Sequence, residues 1–235
     1  MSAYASPVMR RALNDALRPG GLRGTRQALE RVPLPRETLV LDAGCGPGTT
    51  ADFLQAELSC RVIGLDSDRT FLHSGPESGP IFVRGDVCFL PLPSDCLDAV
   101  FCECVLSLLS RPEQVLIEFK RVLKPGGRLY LSDVYARSLS TFPAGPGQAT
   151  CLAAPVSLKT WKQRLFSCGF VLVSEEDQTW FMRQTAGRLI FEYGSLHHFW
   201  QVVLGTAAGK DCASRIKAVR LGYVSFVAVK DKYHE

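Results

Sequence analysis

Short apolar runs alternate with helix-patterned segments from Thr38 onward, and few folds accommodate such an alternation. Strands that alternate with helices form βαβ units with right-handed crossovers, so a mostly parallel sheet is predicted. The first predicted helix after Thr38 carries Ala51, Leu54 and Leu58 on one face. The predicted strands are 38–41, 61–65, 81–84, 97–101, 128–134, 170–174 and 222–230.

The helix before the fifth predicted strand has clear start and stop signals. Ser110 and Glu113 have the spacing of a capping box, and Lys124-Pro125-Gly126-Gly127 ends the helix. Its apolar stripe consists of Val115, Leu116, Phe119, Val122 and Leu123. Further helices are predicted over 10–17, 25–32, 158–168 and 179–204, the last of which is rich in aromatic residues.

Composition argues against several classes of function. The net charge is +4 and Lys and Arg form no run, so nothing favours nucleic-acid binding. The chain has no uncharged apolar stretch of about 18 residues, and residues 1–10 lack a signal-peptide run, so a cytoplasmic protein without a membrane span is expected. In that reducing compartment the nine cysteines should be free thiols. Without a CxxC pair, and with four poorly placed histidines, no structural metal is expected.

A glycine-rich turn, Gly44-Cys45-Gly46-Pro47-Gly48, lies between the first strand and its helix. Glycines let the backbone turn tightly and approach a ligand, and the helix that follows offers free N–H groups. Asp66 ends the next strand 24 positions after Asp42, where a ribose-binding carboxylate belongs. A nucleotide-containing ligand is therefore predicted, and the alternative is a plain strand–helix turn.

The residues of this turn distinguish between two kinds of nucleotide ligand. A dinucleotide fold has a third glycine one position later than Gly48, where this chain has Thr49. Asp42 would attract an ammonium group and repel a pyrophosphate. S-adenosylmethionine (SAM) carries an ammonium and no phosphate, so the turn favours SAM over NAD.

These motifs together resemble those of class I SAM-dependent methyltransferases. The LVLDAGCGPG segment at 39–48 is similar to their first motif, Asp66 matches their ribose-binding acid, and Gly85-Asp86-Val87 matches their adenine-contacting segment. With the turn at 124–127, the resemblance covers residues 35–135, and it implies that Asp86 meets the adenine amino group unless it is only a helix cap. The cofactor-binding residues implied are Asp42, Gly44, Gly46, Gly48, Asp66, Asp86 and Cys102.

Two cysteines extend the resemblance towards arsenite methyltransferases. Segments 102–108, 129–136 and 151–154 are similar in order and spacing to segments of that family, whose cysteines matching Cys104 and Cys151 hold trivalent arsenic. Soft thiolates suit a soft acceptor, and a bound arsenic lone pair needs no general base. The chain departs from the family at Ala51, where a further cysteine is expected, and in the shortened segment from Thr141 to Gly147. The alternative roles are a packing residue for Cys104 and a loop thiol for Cys151.

The sequence thus predicts a SAM-dependent methyltransferase acting on a small-molecule acceptor such as a thiol-bound metalloid. The alternatives are C- or O-methylation of a quinone-like metabolite, or a SAM-binding module without turnover. The aromatic segment 179–204 is either a lid or outer core, and His197 and His198 provide either a base or a solvated helix face.

We predict one α/β domain over 1–235 with a Rossmann-like, doubly wound seven-stranded sheet whose last strand is antiparallel. Residues 1–35 form a helical lead-in and 36–135 the SAM-binding half. Residues 136–235 form the acceptor-side half, with a helical insert before the last strand.

Overall fold

The computed structural model describes residues 3–72, 79–138, 150–152 and 155–231, with backbone alone at 215, 217 and 218. Its strands are β1 (Leu39–Ala43), β2 (Arg61–Asp66), β3 (Ile81–Arg84), β4 (Leu97–Glu103), β5 (Leu123–Ala136), β6 (Phe170–Asp177) and β7 (Leu221–Lys230). Its α-helices are α1 (Pro7–Ala12), α2 (Leu22–Arg31), α3 (Thr49–Leu58), α4 (Pro112–Val122), α5 (Leu158–Ser167), α6 (Thr179–Tyr193), α7 (Leu196–Leu204) and α8 (Thr206–Ala218).

The seven strands form one sheet in the order β3-β2-β1-β4-β5-β7-β6. Strands β1 to β5 pair in parallel, whereas β7 runs antiparallel to both β5 and β6. The predicted Rossmann-like, doubly wound sheet with an antiparallel last strand is confirmed. Because β1, β2 and β4 are neighbours and parallel, the residues at their carboxyl ends meet at one edge of the sheet, where ligands bind in such folds.

Helices cover both faces of the central strands, whose side chains alternate between the two sides. Leu41 and Val100 pack in a cluster with residues of α4 and α5. Their neighbours Val40 and Phe101 pack in another cluster, with residues of α2 and α3. Burial on both faces explains why these strands read as continuous apolar runs.

A third cluster closes the carboxyl edge of the sheet. It joins the lead-in, through Tyr4 and Met9, to Leu189, Phe199 and Trp200 of the helical insert. The predicted insert before the last strand therefore exists, and it consists of α6, α7 and α8. None of the helices described is long and apolar enough to cross a bilayer.

Three local predictions are wrong. Arg111, not Ser110, precedes α4 without a side-chain cap, because Pro112 begins the helix, and Glu113 instead pairs with Arg164 at 2.6 Å. Leu123 starts β5 rather than continuing the apolar stripe of α4.

The predicted continuous helix over 179–204 is divided. The chain takes a positive φ of 75° at Gly194, and the Ser195 hydroxyl caps α7 by accepting a hydrogen bond from the His198 amide. A left-handed glycine followed by a serine cap is a common way to end one helix and start another.

Candidate active site

A cavity of about 220 Å³ opens at the carboxyl ends of β1, β2 and β4. Asp42 comes from β1, Asp66 from β2 and Glu103 from β4, so each of these three strands contributes an acidic residue to its wall. The lead-in covers the cavity with Tyr4, Leu17 and other residues. The cavity is therefore formed by the sheet edge on one side and the lead-in on the other.

The glycine loop forms one wall, with its backbone exposed to the cavity. Gly44 and Gly46 line the cavity with positive φ angles of 72° and 52°, conformations that glycine adopts at little cost. Gly48, at φ 88°, precedes the first residue of α3 and is not in the cavity wall. A Cβ on Gly44 would lie 2.4 Å from Val105 Cγ2, so this position admits no side chain without rearrangement.

Asp42 is a buried carboxylate with an unsatisfied oxygen. Only 3% of the residue is exposed, and its Oδ2 has no hydrogen-bond partner among the described residues. Burial, and then the nearby Glu103 carboxylate, raise the pKa of Asp42 from 3.8 to about 7. A buried acceptor without a donor is costly, and a cationic ligand group in the cavity would satisfy it.

Glu103 is neutralised by a residue of the lead-in. Arg18 Nη2 lies 2.8 Å from Glu103 Oε2, and the two side chains are only 6% and 9% exposed. The guanidinium also donates to the hydroxyls of Thr25 and Thr50, at 2.7 and 2.9 Å. Both hydroxyls in turn donate to the Glu103 carboxylate at 2.9 Å. This network fastens the lead-in to the end of β4, beside Asp42.

Asp66 and Asp86 both line the cavity, as their predicted roles require. The Asp66 carboxylate accepts hydrogen bonds from the amides of Gly46 and Asp68, both at 2.9 Å, which ties β2 to the glycine loop. Asp86 is exposed and accepts from the Cys88 amide at 2.8 Å. Cys102 is fully buried in the core and is not in the cavity wall.

A second cavity, of about 190 Å³, lies between the lead-in and the helical insert. Its wall is mostly apolar and includes Met182, Phe199 and Trp200. The aromatic insert is thus both packed core and the cover of a cavity. His197 and His198 line neither of the two cavities.

The structure brings Cys104 and Cys151 together in the wall of this second cavity. The neighbouring Cys151 thiol, together with burial, raises the pKa of Cys104 well above its ordinary value. The Cys151 amide donates to the Tyr4 hydroxyl at 3.0 Å, and the Cys104 thiol lies 3.8 Å from the Tyr223 hydroxyl.

Other cysteine-related predictions have the following outcomes. Ala51, where the arsenite family has a further cysteine, is buried in α3. The segment from Thr141 to Gly147 and the residues Ala153 and Ala154 lie outside the described residues. All nine cysteines are free thiols. Within the described ranges, no group of three or more His, Cys, Asp or Glu could hold a metal ion.

Sequence reasoning missed the contribution of the lead-in. Tyr4, Leu17 and Arg18 line the first cavity, yet none belongs to a recognisable motif. Glu103 carried a usable signal, because an acidic residue at the carboxyl end of a buried strand is a candidate for a ligand or an ion-pair partner.

Comparisons with known proteins agree with this geometry. Residues 41–131 match the family described as methyltransferase domain. Methyltransferase GfsG of Streptomyces halstedii is 33% identical over 133 residues, which are 52% of this chain and 47% of that protein. Demethylmenaquinone methyltransferase of Renibacterium salmoninarum is 33% identical over 126 residues, 51% of this chain and 52% of that protein. The chain thus spans about half of each relative.

A solved structure shares the fold. Phosphoethanolamine N-methyltransferase 2 of Haemonchus contortus, in complex with phosphomonomethylethanolamine and S-adenosylhomocysteine, aligns with a TM-score of 0.76 at 19% identity. The alignment covers 95% of this chain and 56% of that one. Together, the family match over 41–131 and the seven-stranded topology show that this part of the chain is similar to a methyltransferase domain and that the chain has the fold of a solved methyltransferase structure.

Proposed function

We propose that the protein binds SAM in the glycine-walled cavity and methylates a small acceptor held in the adjoining apolar cavity. The observation that carries the proposal is the buried Asp42 Oδ2, which has no partner among the described residues and belongs to a residue that lines a cavity of about 220 Å³. The α-ammonium of SAM is a cation of the kind that this oxygen lacks.

The other cavity residues fit the rest of such a ligand. Gly44 and Gly46 allow the methionine portion to approach the backbone, and Gly48 starts the helix whose free amides lie beyond them. Arg18 would balance the ligand carboxylate, Asp66 would accept from the ribose hydroxyls, and Asp86 from the adenine amino group. Cys102 would support the cofactor site by packing in the core beneath the cavity, because it is not a residue of the cavity wall.

When bound, SAM supplies an electrophilic methyl group. The chain's own contribution is to hold that group and the acceptor in line and to keep water away. The lead-in does so by covering the first cavity, and the insert by covering the second. Among the described residues, neither cavity wall contains histidine or lysine, so an acceptor with an available lone pair or an acidic proton fits best.

The proposal predicts that a methyl group on the glycine loop prevents cofactor binding. In the Gly46→Ala variant, the new Cβ would enter the space between loop and lead-in, 3.2 Å from Leu17 Cδ1. We expect S-adenosylhomocysteine affinity to fall by about tenfold or more, since close backbone approach is lost. Calorimetric titration measures the effect.

Gly21→Ala is the matched control, because Gly21 has the same φ of 52° and lies outside the first cavity. Gly21→Ala should lose at least as much stability as Gly46→Ala, because a φ of 52° with a ψ of −138° is a conformation that only glycine adopts at little cost. Equal loss of S-adenosylhomocysteine affinity in both variants would mean that backbone strain, and not the blocked approach to the glycine loop, explains the effect.

Turnover separates the proposed enzyme from a SAM-binding module. S-adenosylhomocysteine should accumulate when SAM and a suitable acceptor are present together. We would test a panel of quinone, phenol, thiol, amine and metalloid acceptors with radiolabelled SAM. A protein that is saturated with SAM and transfers methyl to none of them would support the module.

A second candidate acceptor is a trivalent metalloid, and the contact between Cys104 and Cys151 favours it. Arsenite, As(OH)₃, would exchange two hydroxyls for the two thiol sulfurs and release two water molecules. The arsenic would keep its lone pair for attack on a methyl group. Because Tyr4 and Cys104 line both cavities, a metalloid held there would lie next to the cofactor.

This candidate predicts that Cys104→Ser and Cys151→Ser each abolish arsenite binding, because one remaining thiol cannot chelate. Trp200 lines the same cavity, so intrinsic fluorescence should report the titration. Cys60→Ser, which removes a buried thiol in a different cluster, should leave binding unchanged. SAM affinity should be unaffected in Cys151→Ser and Cys60→Ser, which change residues outside the wall of the first cavity. Equal arsenite binding in the wild type and both site variants, or none in the wild type, excludes the thiol site.

A further inference from the structure

The two cavities meet at a small set of side chains. Among the described residues, Tyr4, Leu17 and Cys104 alone line both. Two of them come from the lead-in and one from the end of β4. Among the described residues, these three side chains therefore form the part of the wall that a donor in the first cavity and an acceptor in the second would share.

We propose that Tyr4, Leu17 and Cys104 form a window that limits the size of the group transferred, a role that rests on the proposed function. The acceptor's lone pair would form the new carbon bond here, while the carbon–sulfur bond breaks and its electrons remain on sulfur. The lead-in is then part of the site of methyl transfer, and its side chains limit which substituents on the sulfonium sulfur can be transferred.

Backbone conformation supports this role independently of the cavity walls. Leu17 and Cys104 have φ angles of 54° and 60°, in the left-handed region that side chains other than glycine, asparagine and aspartate rarely adopt. Glycine could make the same turns with less strain, so the turns alone do not require Leu17 or Cys104. Strained backbone of this kind clusters at functional sites. In both cases the conformation places a side chain where the cavities join.

Tyr4, the third residue of the window, and Leu17 are both held by contacts with neighbouring segments. The Tyr4 hydroxyl accepts from the Cys151 amide at 3.0 Å, which connects the lead-in to the segment after β5. Leu17 lies against the glycine loop, since its Cδ1 is 3.2 Å from the position that a Cβ on Gly46 would occupy. These contacts hold Tyr4 and Leu17 in place, so the window would keep a fixed size and exclude larger sulfonium substituents.

Size selectivity for the sulfonium group tests the window. The ligands are S-adenosylhomocysteine, SAM and the analogue in which an S-allyl group replaces the S-methyl group. We expect the wild type to bind the allyl analogue about tenfold or more weakly than SAM, as extra carbons in a closed pocket are rejected on this scale. In Leu17→Ala the penalty, which is the ratio of SAM affinity to allyl-analogue affinity within the variant, should shrink to about threefold or less.

Two further variants complete the experiment, which is read by calorimetry. Leu29→Ala, an equal truncation in α2 away from both cavities, should keep the wild-type penalty. Cys104→Gly should widen the window and suit the φ of 60°, so it decides the matter if Leu17→Ala loses S-adenosylhomocysteine affinity. The proposed window is contradicted if the wild type binds the allyl analogue as tightly as SAM. It is also contradicted if Cys104→Gly, and Leu17→Ala that still binds S-adenosylhomocysteine, both keep the wild-type penalty against the allyl analogue. A wild type that binds none of the three ligands contradicts the proposed function instead.

Discussion

Asp42→Asn should lower the affinity for S-adenosylhomocysteine by about a hundredfold, because it removes the buried charge that the ligand ammonium would meet. The same change should stabilise the ligand-free protein above pH 7. Asp42 Oδ2 has no partner among the described residues, and burial with the Glu103 carboxylate nearby raises its pKa to about 7. An ionised Asp42 without ligand is therefore a cost that the carboxamide does not carry.

The direction of the pH dependence follows from that raised pKa. The folded protein holds the Asp42 proton more tightly than the unfolded chain does, so its contribution to stability is complete below about pH 4 and is lost as pH rises to about 7. Asp42→Asn should remove this loss, which is about 4 kcal/mol at pH 8 for a shift from 3.8 to about 7. Ligand affinity has the opposite dependence, and in the wild type it should fall below pH 7 as Asp42 becomes protonated.

Urea unfolding and calorimetry at pH 5.5 and 8 measure both effects. Asp98→Asn is the control for ligand affinity. Asp98 lies at the other end of β4 and does not line the cavity, so S-adenosylhomocysteine affinity should not change in this variant. Unchanged S-adenosylhomocysteine affinity in Asp42→Asn would remove Asp42 from the site. Reduced stability of Asp42→Asn at pH 8 would show that the interactions of the carboxylate with the Ala51 amide and with Arg18 outweigh the cost of its burial.

Arg18→Met should destabilise the protein by about 3–5 kcal/mol, since it leaves the buried Glu103 carboxylate without its cation. Arg18 also donates to Thr25 and Thr50, so the whole connection between lead-in and sheet loses its centre. Arg10→Met is the control, because the Arg10–Asp15 pair is 43% and 51% exposed and such pairs contribute at most about 1 kcal/mol.

The double variant Arg18→Met with Glu103→Leu identifies the source of the effect. Replacing both charges by apolar groups should recover much of the lost stability, as the unpaired charge is removed. Free energies of unfolding from urea titrations supply the comparison. A single variant no less stable than Arg10→Met would contradict the buried network, and a double variant less stable than Arg18→Met would show that the pair itself is favourable.

The parts of the molecule that follow local rules could be predicted from the sequence. The glycine turn, Asp42 and Asp66 lie at fixed distances along a βα unit, so their spacing places them at one sheet edge. The last strand and the helical insert before it followed from the residue pattern, whereas the antiparallel direction of that strand was implied by the resemblance to class I methyltransferases. The meeting of Cys104 and Cys151 was predicted because both follow neighbouring strands.

What could not be predicted depends on contacts between distant segments. Arg18 reaches Glu103 across 85 positions (103 − 18), and nothing in the lead-in marks that arginine among its neighbours. The capping box at Ser110 failed because Pro112 can start a helix by itself. The second cavity arises only when the insert folds over the lead-in, a packing that periodicity does not reveal.

A crystal structure of the protein with S-adenosylhomocysteine tests the central claim most directly. The account predicts the ligand in the glycine-walled cavity, with its α-ammonium within hydrogen-bonding distance of Asp42 Oδ2, its ribose at Asp66 and its sulfur facing Tyr4, Leu17 and Cys104. A structure obtained at saturating ligand in which this cavity holds no ligand, or in which the ammonium points away from Asp42, would contradict it.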